Sequence, residues 1–281
     1  MKVIGIFPNL SKDKVVAALG QIVDLCRSNG LEPLLPSSIA LQYGCRSFSG
    51  NSLEQLDYAV SLGGDGTLLE MARHVAPKGI PVFGINFGKL GFLAEIDAQA
   101  MEAAFSRLGR GDFSLEERAL LKASVLQNGH CITQAHALND LVLTKGAFSK
   151  LAHFQLYING KVSGTYAGDG LIIATATGST AYSLSAGGPL VMPQLEVSVI
   201  TPICAHSLTA RALVIPLSEA IELRAVPGSE EMLLSADGEM VAPVYSDTLL
   251  QIAKSPYTVR FIRLTERDYY ETWQQKLMRN L

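Results

Sequence analysis

The sequence predicts an α/β domain joined to a β-rich domain, and three observations predict it. Over roughly the first 110 residues, short apolar runs ending in Pro, Asn or Gly alternate with stretches of helical spacing. That pattern belongs to strands buried on both faces of a parallel sheet and joined by helices. After Gly109-Arg110-Gly111-Asp112 the helical spacing stops and short strand-like runs follow one another, as in a mostly antiparallel β domain. Two buried runs in the first part lead directly into glycine-rich turns, the place where open parallel sheets bind ligands.

Val3–Phe7 is the first strand, ended by Pro8-Asn9. Val15, Leu19, Ile22 and Cys26 recur at helical spacing, widened by Val16 and Val23, with Ser11 as a start signal and Gly30 as a stop. Pro36 to Asn51 lacks periodicity and is expected to be a surface loop. Tyr58–Leu62 is a second strand and opens onto Gly63-Gly64-Asp65-Gly66-Thr67. A helix over roughly Thr67–Val75 follows, broken at Pro77-Lys78-Gly79. Ile80–Ile85 is a third strand, leading into Asn86-Phe87-Gly88-Lys89-Leu90-Gly91-Phe92-Leu93, and Asp97–Leu108 is expected to be a surface helix.

In the second part, strands are predicted at Leu121–Leu126, Leu141–Thr144, Phe154–Ile158, Lys161–Tyr166, Leu171–Thr175, Glu196–Ile203, Ala220–Val226, Met232–Ala236 and Thr248–Ile252. Asn159-Gly160 is a strong hairpin signal. Tyr257–Leu264 reads as a last strand and Asp268–Leu281 as a helix, both expected to return to the first domain. The domains are therefore 1–115, completed by about 256–281, and 116–255.

Composition narrows the function. With 48% hydrophobic and 17% charged residues the chain can bury a substantial core. A net charge of −3 without a basic run excludes a dedicated nucleic-acid binder. No apolar stretch is long enough to span a membrane as a helix, and no signal peptide opens the sequence. Cys26, Cys45, Cys131 and Cys204 form no CxxC pair, which fits a reducing cytoplasm better than a zinc or disulfide scaffold. The P-loop and the G-x-S-x-G nucleophile elbow are absent, and the five histidines have no metal-ligand spacing.

Four stretches carry chemistry. Gly63 to Thr67 sets one carboxylate among glycines before a helix, so free N–H groups and the helix dipole face the turn. It is equally a phosphate site or a structural turn capped by Asp65. Asn139-Asp140 reads first as a cap or turn. Gly168-Asp169-Gly170 places another carboxylate between glycines. From Thr175 to Ser185, with Thr177, Ser179, Thr180 and Tyr182 between them, hydroxyl groups are denser than helix capping requires. Binding of ribose, phosphate or amide groups is favoured there.

Taken together, Gly63–Thr67, Asn86–Phe92, Asn139-Asp140, Asp169-Gly170, Thr177–Ser185 with Gly187-Gly188-Pro189, and Ser235-Ala236-Asp237-Gly238 resemble the NAD kinase family in order and approximate spacing. The Gly-Gly-Asp-Gly-Thr signature is shared with lipid kinases, while Thr-Gly-Ser-Thr-Ala-Tyr is more specific to NAD kinases. The resemblance covers essentially the whole chain. It implies an amino-terminal α/β domain and a carboxyl-terminal NAD-binding β domain with the active site between them, assembled as a homodimer or homotetramer. It also implies phosphorylation of the adenosine ribose 2′-hydroxyl of NAD by ATP, another nucleoside triphosphate or polyphosphate, with Mg²⁺ or another divalent metal held mainly by the donor's phosphates.

By position, Asp65 would take or orient the hydroxyl proton and Gly66 would approach NAD, while Gly63, Gly64 and Thr67 would face the phosphate donor. Phe92 would pack near the base. Asn139 and Asp140 would bind adenosine, and Asp169, Thr177, Thr180, Ala181, Tyr182 and Ser185 would hold other groups of NAD. Lys150, Ala167 and Glu239 fall at further NAD-contact positions. Asp140 stands where the family more often has Glu, and Glu239 where it often has Gln, which bears on substrate detail. The rival expectations are a diacylglycerol- or sphingosine-type lipid kinase and a catalytically silent dinucleotide sensor.

Overall fold

A computed structural model of the chain describes residues 1–88, 91–94, 96–146, 151–207, 209–226, 229–264 and 268–278. The chain divides into two compact units, Met1–Glu117 with Thr258–Leu281, and Arg118–Tyr257.

The first unit is an α/β sheet domain. Its elements are β1 (Lys2–Pro8), α1 (Asp13–Ser28), β2 (Leu31–Pro36), β3 (Arg46–Phe48), β4 (Tyr58–Gly63), α2 (Asp65–Val75), β5 (Val82–Asn86), β6 (Ile96–Asp97) and α3 (Met101–Arg110). The order β5–β4–β1–β2–β3 is parallel throughout, with β6 beside β5. Every residue of β4 is buried, because both neighbours and both faces are covered. Val60, Leu62, Phe83 and Ile85 pack with Leu19, Ile22 and Cys26 of α1 and with Phe105 and Leu108 of α3. Each such side chain contributes roughly 1.5–3 kcal/mol on leaving water. The alternate residues Ser61 and Gly84 face Leu68 of α2 instead, so α2 lies on the opposite face, as the two-residue period of a strand requires.

The second unit is an antiparallel β sandwich. The chain continues through β7 (Ser114–Gln127), β8 (His130–Ala137), β9 (Asp140–Lys145), β10 (Ala152–Ile158), β11 (Lys161–Gly168), β12 (Gly170–Thr175), α4 (Tyr182–Ser185), β13 (Val197–Ile203), β14 (Leu213–Pro216), β15 (Ile221–Ala225), β16 (Met232–Ala236), β17 (Glu239–Val244), β18 (Thr248–Arg263) and α5 (Tyr269–Trp273). One antiparallel sheet runs β14–β13–β12–β9–β16–β17. The other contains β11–β10–β15–β18 and the β7–β8 hairpin. Leu141, Ile173 and Leu234 from the first sheet pack with Phe154, Leu223 and Leu250 from the second.

The predicted fold class is borne out, with several local differences. Pro36–Asn51 holds the short strand β3 and the 3₁₀ turn Ala40–Tyr43 rather than a loop. Helix α2 starts at Asp65, two residues before the expected Thr67. The two last predicted strands are one continuous strand, β18, whose distal part joins the first unit's sheet through Phe261 beside Val82. Asn159-Gly160 does form a hairpin turn, with both residues at positive φ (50° and 74°). Asn128-Gly129 (51° and 77°) and Asp237-Gly238 (48° and 83°) form two more of the same kind.

Candidate active site

In the first unit the site is built where β4 ends. Gly64 is the helix N-cap, and Asp65 is the first helical residue and does not cap α2. Its carboxylate reaches the second glycine loop instead. Oδ2 accepts from the Phe92 N–H at 2.6 Å, and Oδ1 accepts from Leu93 and Ala94 at 3.2 and 3.1 Å. The carboxylate also lies flat against Gly91, where a Cβ would sit 1.9 Å from Oδ1. Three N–H donors therefore fix the orientation of one carboxylate. A carboxylate offers about four acceptor positions, so one lone pair on Oδ2 stays available to a hydroxyl proton.

Glycine is needed at 63 as well, since a Cβ there would meet Thr67 Oγ1 at 2.4 Å. Gly66 is exposed, and a Cβ on it would touch nothing within 4 Å among the described residues. Two residues that sequence reasoning missed complete this turn. Asn9 Nδ2 donates to Thr67 Oγ1 at 3.3 Å, and Lys12 Nζ lies 3.4 Å from where a Gly64 Cβ would be. The lysine adds positive charge where the free N–H groups of α2 already favour an anion. An Asn-x-x-Lys spacing just after a buried strand was the available signal. Beside the turn, a cavity of about 230 Å³ lies between Phe7, Pro8, Pro36, Met71, His74 and Glu70, and Thr67 borders both.

In the second unit the expected residues fall into two groups. Leu138–Asp140 and Thr175–Thr180 are brought together: Thr175 N–H donates to the Asn139 carbonyl at 2.8 Å, Thr175 Oγ1 donates to the Leu138 carbonyl at 2.6 Å, and a Cβ on Gly178 would sit 2.1 Å from the Asn139 oxygen. Asp237 fixes the first of these segments, its carboxylate accepting from the N–H groups of Leu138, Asn139 and Asp140 at 2.8–3.1 Å. No local signal revealed that role, because about a hundred residues separate the partners. Burial, and then the Asp237 charge, push the Asp140 carboxyl up to about 7.

Several hydroxyls of the Thr175–Ser185 stretch are structural. Ser179 Oγ bonds both the carbonyl and the N–H of Val191, Ser183 bonds Thr201, and the buried Arg118 donates to Thr177 Oγ1 at 3.1 Å. Thr180 and Ala181 are half-buried, and Tyr182 and Ser185 are exposed. Asp169 and Ala167 belong to the other group. They lie at the end of β12 opposite Thr177: the six steps from Asp169 to Thr175 span about 20 Å at roughly 3.3 Å per residue. There Lys145 donates to Asp169 at 2.7 Å, holding that carboxyl below the usual range. Glu239 is exposed at the start of β17. Lys150 lies outside the described residues.

Among the described residues no three His, Cys, Asp or Glu side chains gather around a common point to hold a metal, and no helix is long and apolar enough to cross a membrane. The donor set of the glycine turn, one oriented carboxylate beside the free N–H groups of a helix N-terminus, fits a hard cation carried in on phosphate oxygens rather than an all-protein cage.

Comparisons with known proteins cover both units. The family model of the ATP-NAD kinase N-terminal domain matches residues 45–113, and that of the C-terminal domain matches residues 138–264. An NAD kinase of Caldanaerobacter subterraneus subsp. tengcongensis is 37% identical over 280 residues, 99% of each chain. One of Moorella thermoacetica is 38% identical over 279 residues, 99% of this chain and 89% of its own. Among solved structures, an NAD kinase from Archaeoglobus fulgidus in complex with ATP aligns with a TM-score of 0.75 at 26% identity, over 93% of each chain. Yeast NADH kinase complexed with NADH aligns with a TM-score of 0.92 at 23% identity, over 100% of this chain and 88% of its own. At that identity the yeast likeness is one of fold.

Proposed function

The chain belongs to the NAD kinase family, and from that premise we propose that it transfers the terminal phosphoryl group of ATP to the adenosine ribose 2′-hydroxyl of NAD, giving NADP. The observation that carries this reading is the Asp65 carboxylate, oriented by three main-chain N–H groups at the N-terminus of α2. Phosphoryl transfer depends on in-line positioning and charge neutralisation more than on covalent help. Asp65 aligns the 2′-hydroxyl through Oδ2 and takes its proton as the bond to phosphorus forms.

The turn Gly63–Thr67 and Lys12 face the donor's phosphates, and the cavity against Phe7 and Met71 receives its nucleoside. A divalent cation such as Mg²⁺ would be held mainly by the donor's phosphate oxygens, whose charge it would neutralise. Asn139, Asp140 and the exposed face of Thr180–Ser185 bind NAD, within the β-rich domain 116–255. Asp169 lies at the end of β12 opposite Thr177. This supports the homodimer or homotetramer that the family resemblance implies, with Asp169 serving NAD held by a second copy. The widely spaced cysteines support a cytoplasmic setting.

Purified protein incubated with NAD, ATP and Mg²⁺ is expected to accumulate NADP, and to leave diacylglycerol and sphingoid bases unphosphorylated. No NADP from NAD or NADH, with ATP or polyphosphate as donor, would refute the reading.

A further inference from the structure

The helix α5 opens with an Asp268 cap, whose carboxylate accepts from Tyr270 and Glu271 at 2.8 and 3.1 Å. Its first residue, Tyr269, is buried, and its hydroxyl donates to the Glu116 carboxylate at 2.8 Å. Glu116 in turn accepts from the buried Arg263 Nε at 2.5 Å. This pins the helix to the end of β18 within the first unit. Beyond α5 the chain makes a π-helical turn, Gln274–Met278.

Lys276 on that turn reaches the second glycine loop. Its Nζ donates to the Gly91 carbonyl and lies 4.7 Å over the centre of the Phe92 ring. These are the residues that hold Asp65: the Gly91 backbone lies against its carboxylate, and the Phe92 N–H makes its shortest hydrogen bond. One ammonium thus grips the loop by a carbonyl and a ring, and that loop grips the carboxylate.

We propose that Lys276 is a positioning residue for the phosphoryl transfer, acting through Gly91 and Phe92 to keep Asp65 aligned. The proposal rests on the reading of Asp65 as acceptor of the hydroxyl proton. Without Lys276 the loop samples other arrangements and the carboxylate loses its fixed direction, although Lys276 itself is assigned no substrate contact.

Lys276→Met is therefore expected to lower kcat about tenfold while KM for NAD and for ATP stays within about twofold. Lys276→Arg, which keeps a donor and stacks on an aromatic ring, should restore most of the rate. Amide hydrogen exchange at Phe92, Leu93 and Ala94 should quicken in Lys276→Met by about tenfold, while the β4 amides of Val60 and Leu62 keep their protection. An unchanged kcat, a loss carried by KM, or unchanged exchange at residues 92–94 would each overturn the proposal. Failure of the underlying reading shows separately, as a wild-type chain that makes no NADP, and the proposal then falls with it whatever the exchange shows.

Discussion

Gly91 is where a single methyl group tests the geometry of the site. In Gly91→Ala the new Cβ would lie 1.9 Å from Asp65 Oδ1, 2.2 Å from Cγ and 2.3 Å from Oδ2. Ordinary contact begins near 3.4 Å, so the carboxylate must retreat by about 1.5 Å, the difference between that contact and the 1.9 Å approach. A retreat of that size breaks the 2.6 Å bond from Phe92 N–H and weakens those from Leu93 and Ala94. Misplacing a reacting group by about 1 Å costs on the order of 100-fold in rate, which is about 2.7 kcal/mol of transition-state stabilisation. Steady-state NADP formation should therefore show kcat reduced about 100-fold, with KM for ATP and for NAD changed by less than about threefold. Gly88→Ala is the control in the same loop, since among the described residues its Cβ would meet only Asn86 Oδ1, at 3.8 Å. Wild-type kcat in Gly91→Ala would refute the reasoning, because it would mean that turnover tolerates a displaced Asp65.

Two further outcomes follow from the same geometry. Gly66→Ala adds a methyl that meets nothing within 4 Å among the described residues and should raise the melting temperature slightly, since alanine gains roughly 0.5–1 kcal/mol over glycine in a helix. A rise in KM for NAD by about tenfold in that variant would report a close approach of the dinucleotide, and an unchanged KM would remove Gly66 from the site. Asp140 has its folded pKa raised to about 7 from the usual 3.8. Between those values the folded state holds a proton that the unfolded state has lost, so this group's contribution is fully present below pH 3.8 and is lost as pH rises through 7. The contribution is of the order of 4 kcal/mol. Thermal unfolding of Asp140→Asn should lie above wild type at pH 8 and converge with it at pH 4, while NAD binding weakens; parallel curves at both pH values would contradict the burial account.

The parts of the fold that were legible are those governed by local pattern. Continuous apolar runs gave β1, β4 and β5, and the 3.6 period gave α1. β2 was missed because Pro33 and Pro36 break its strand pattern, and β8 because much of it is exposed and lacks a hydrophobic alternation. The four-residue β14 and the Pro-containing β17 were missed as well. At the site, the glycine turn was readable, but Asp65 read locally as a possible cap. Its partners are 27 to 29 residues away, and sequence spacing carries no information about such a contact. Asp237 and Lys276 were hidden for the same reason. Ser179 and Ser183 show the opposite failure: their hydroxyls looked available for ligand, yet they are spent on Val191 and Thr201.

The central claim is that Asp65 aligns and deprotonates the ribose hydroxyl without being needed to hold NAD. Asp65→Asn keeps the size but removes the charge and turns one of the two accepting oxygens into a donor, so turnover and binding can be separated in one variant. The measurement is NADP formation under saturating substrates together with calorimetric binding of NAD to the same preparation. The account predicts kcat lowered by about 100-fold or more with the dissociation constant for NAD within about threefold of wild type. Wild-type turnover in Asp65→Asn, or a loss explained wholly by failure to bind NAD, would contradict it.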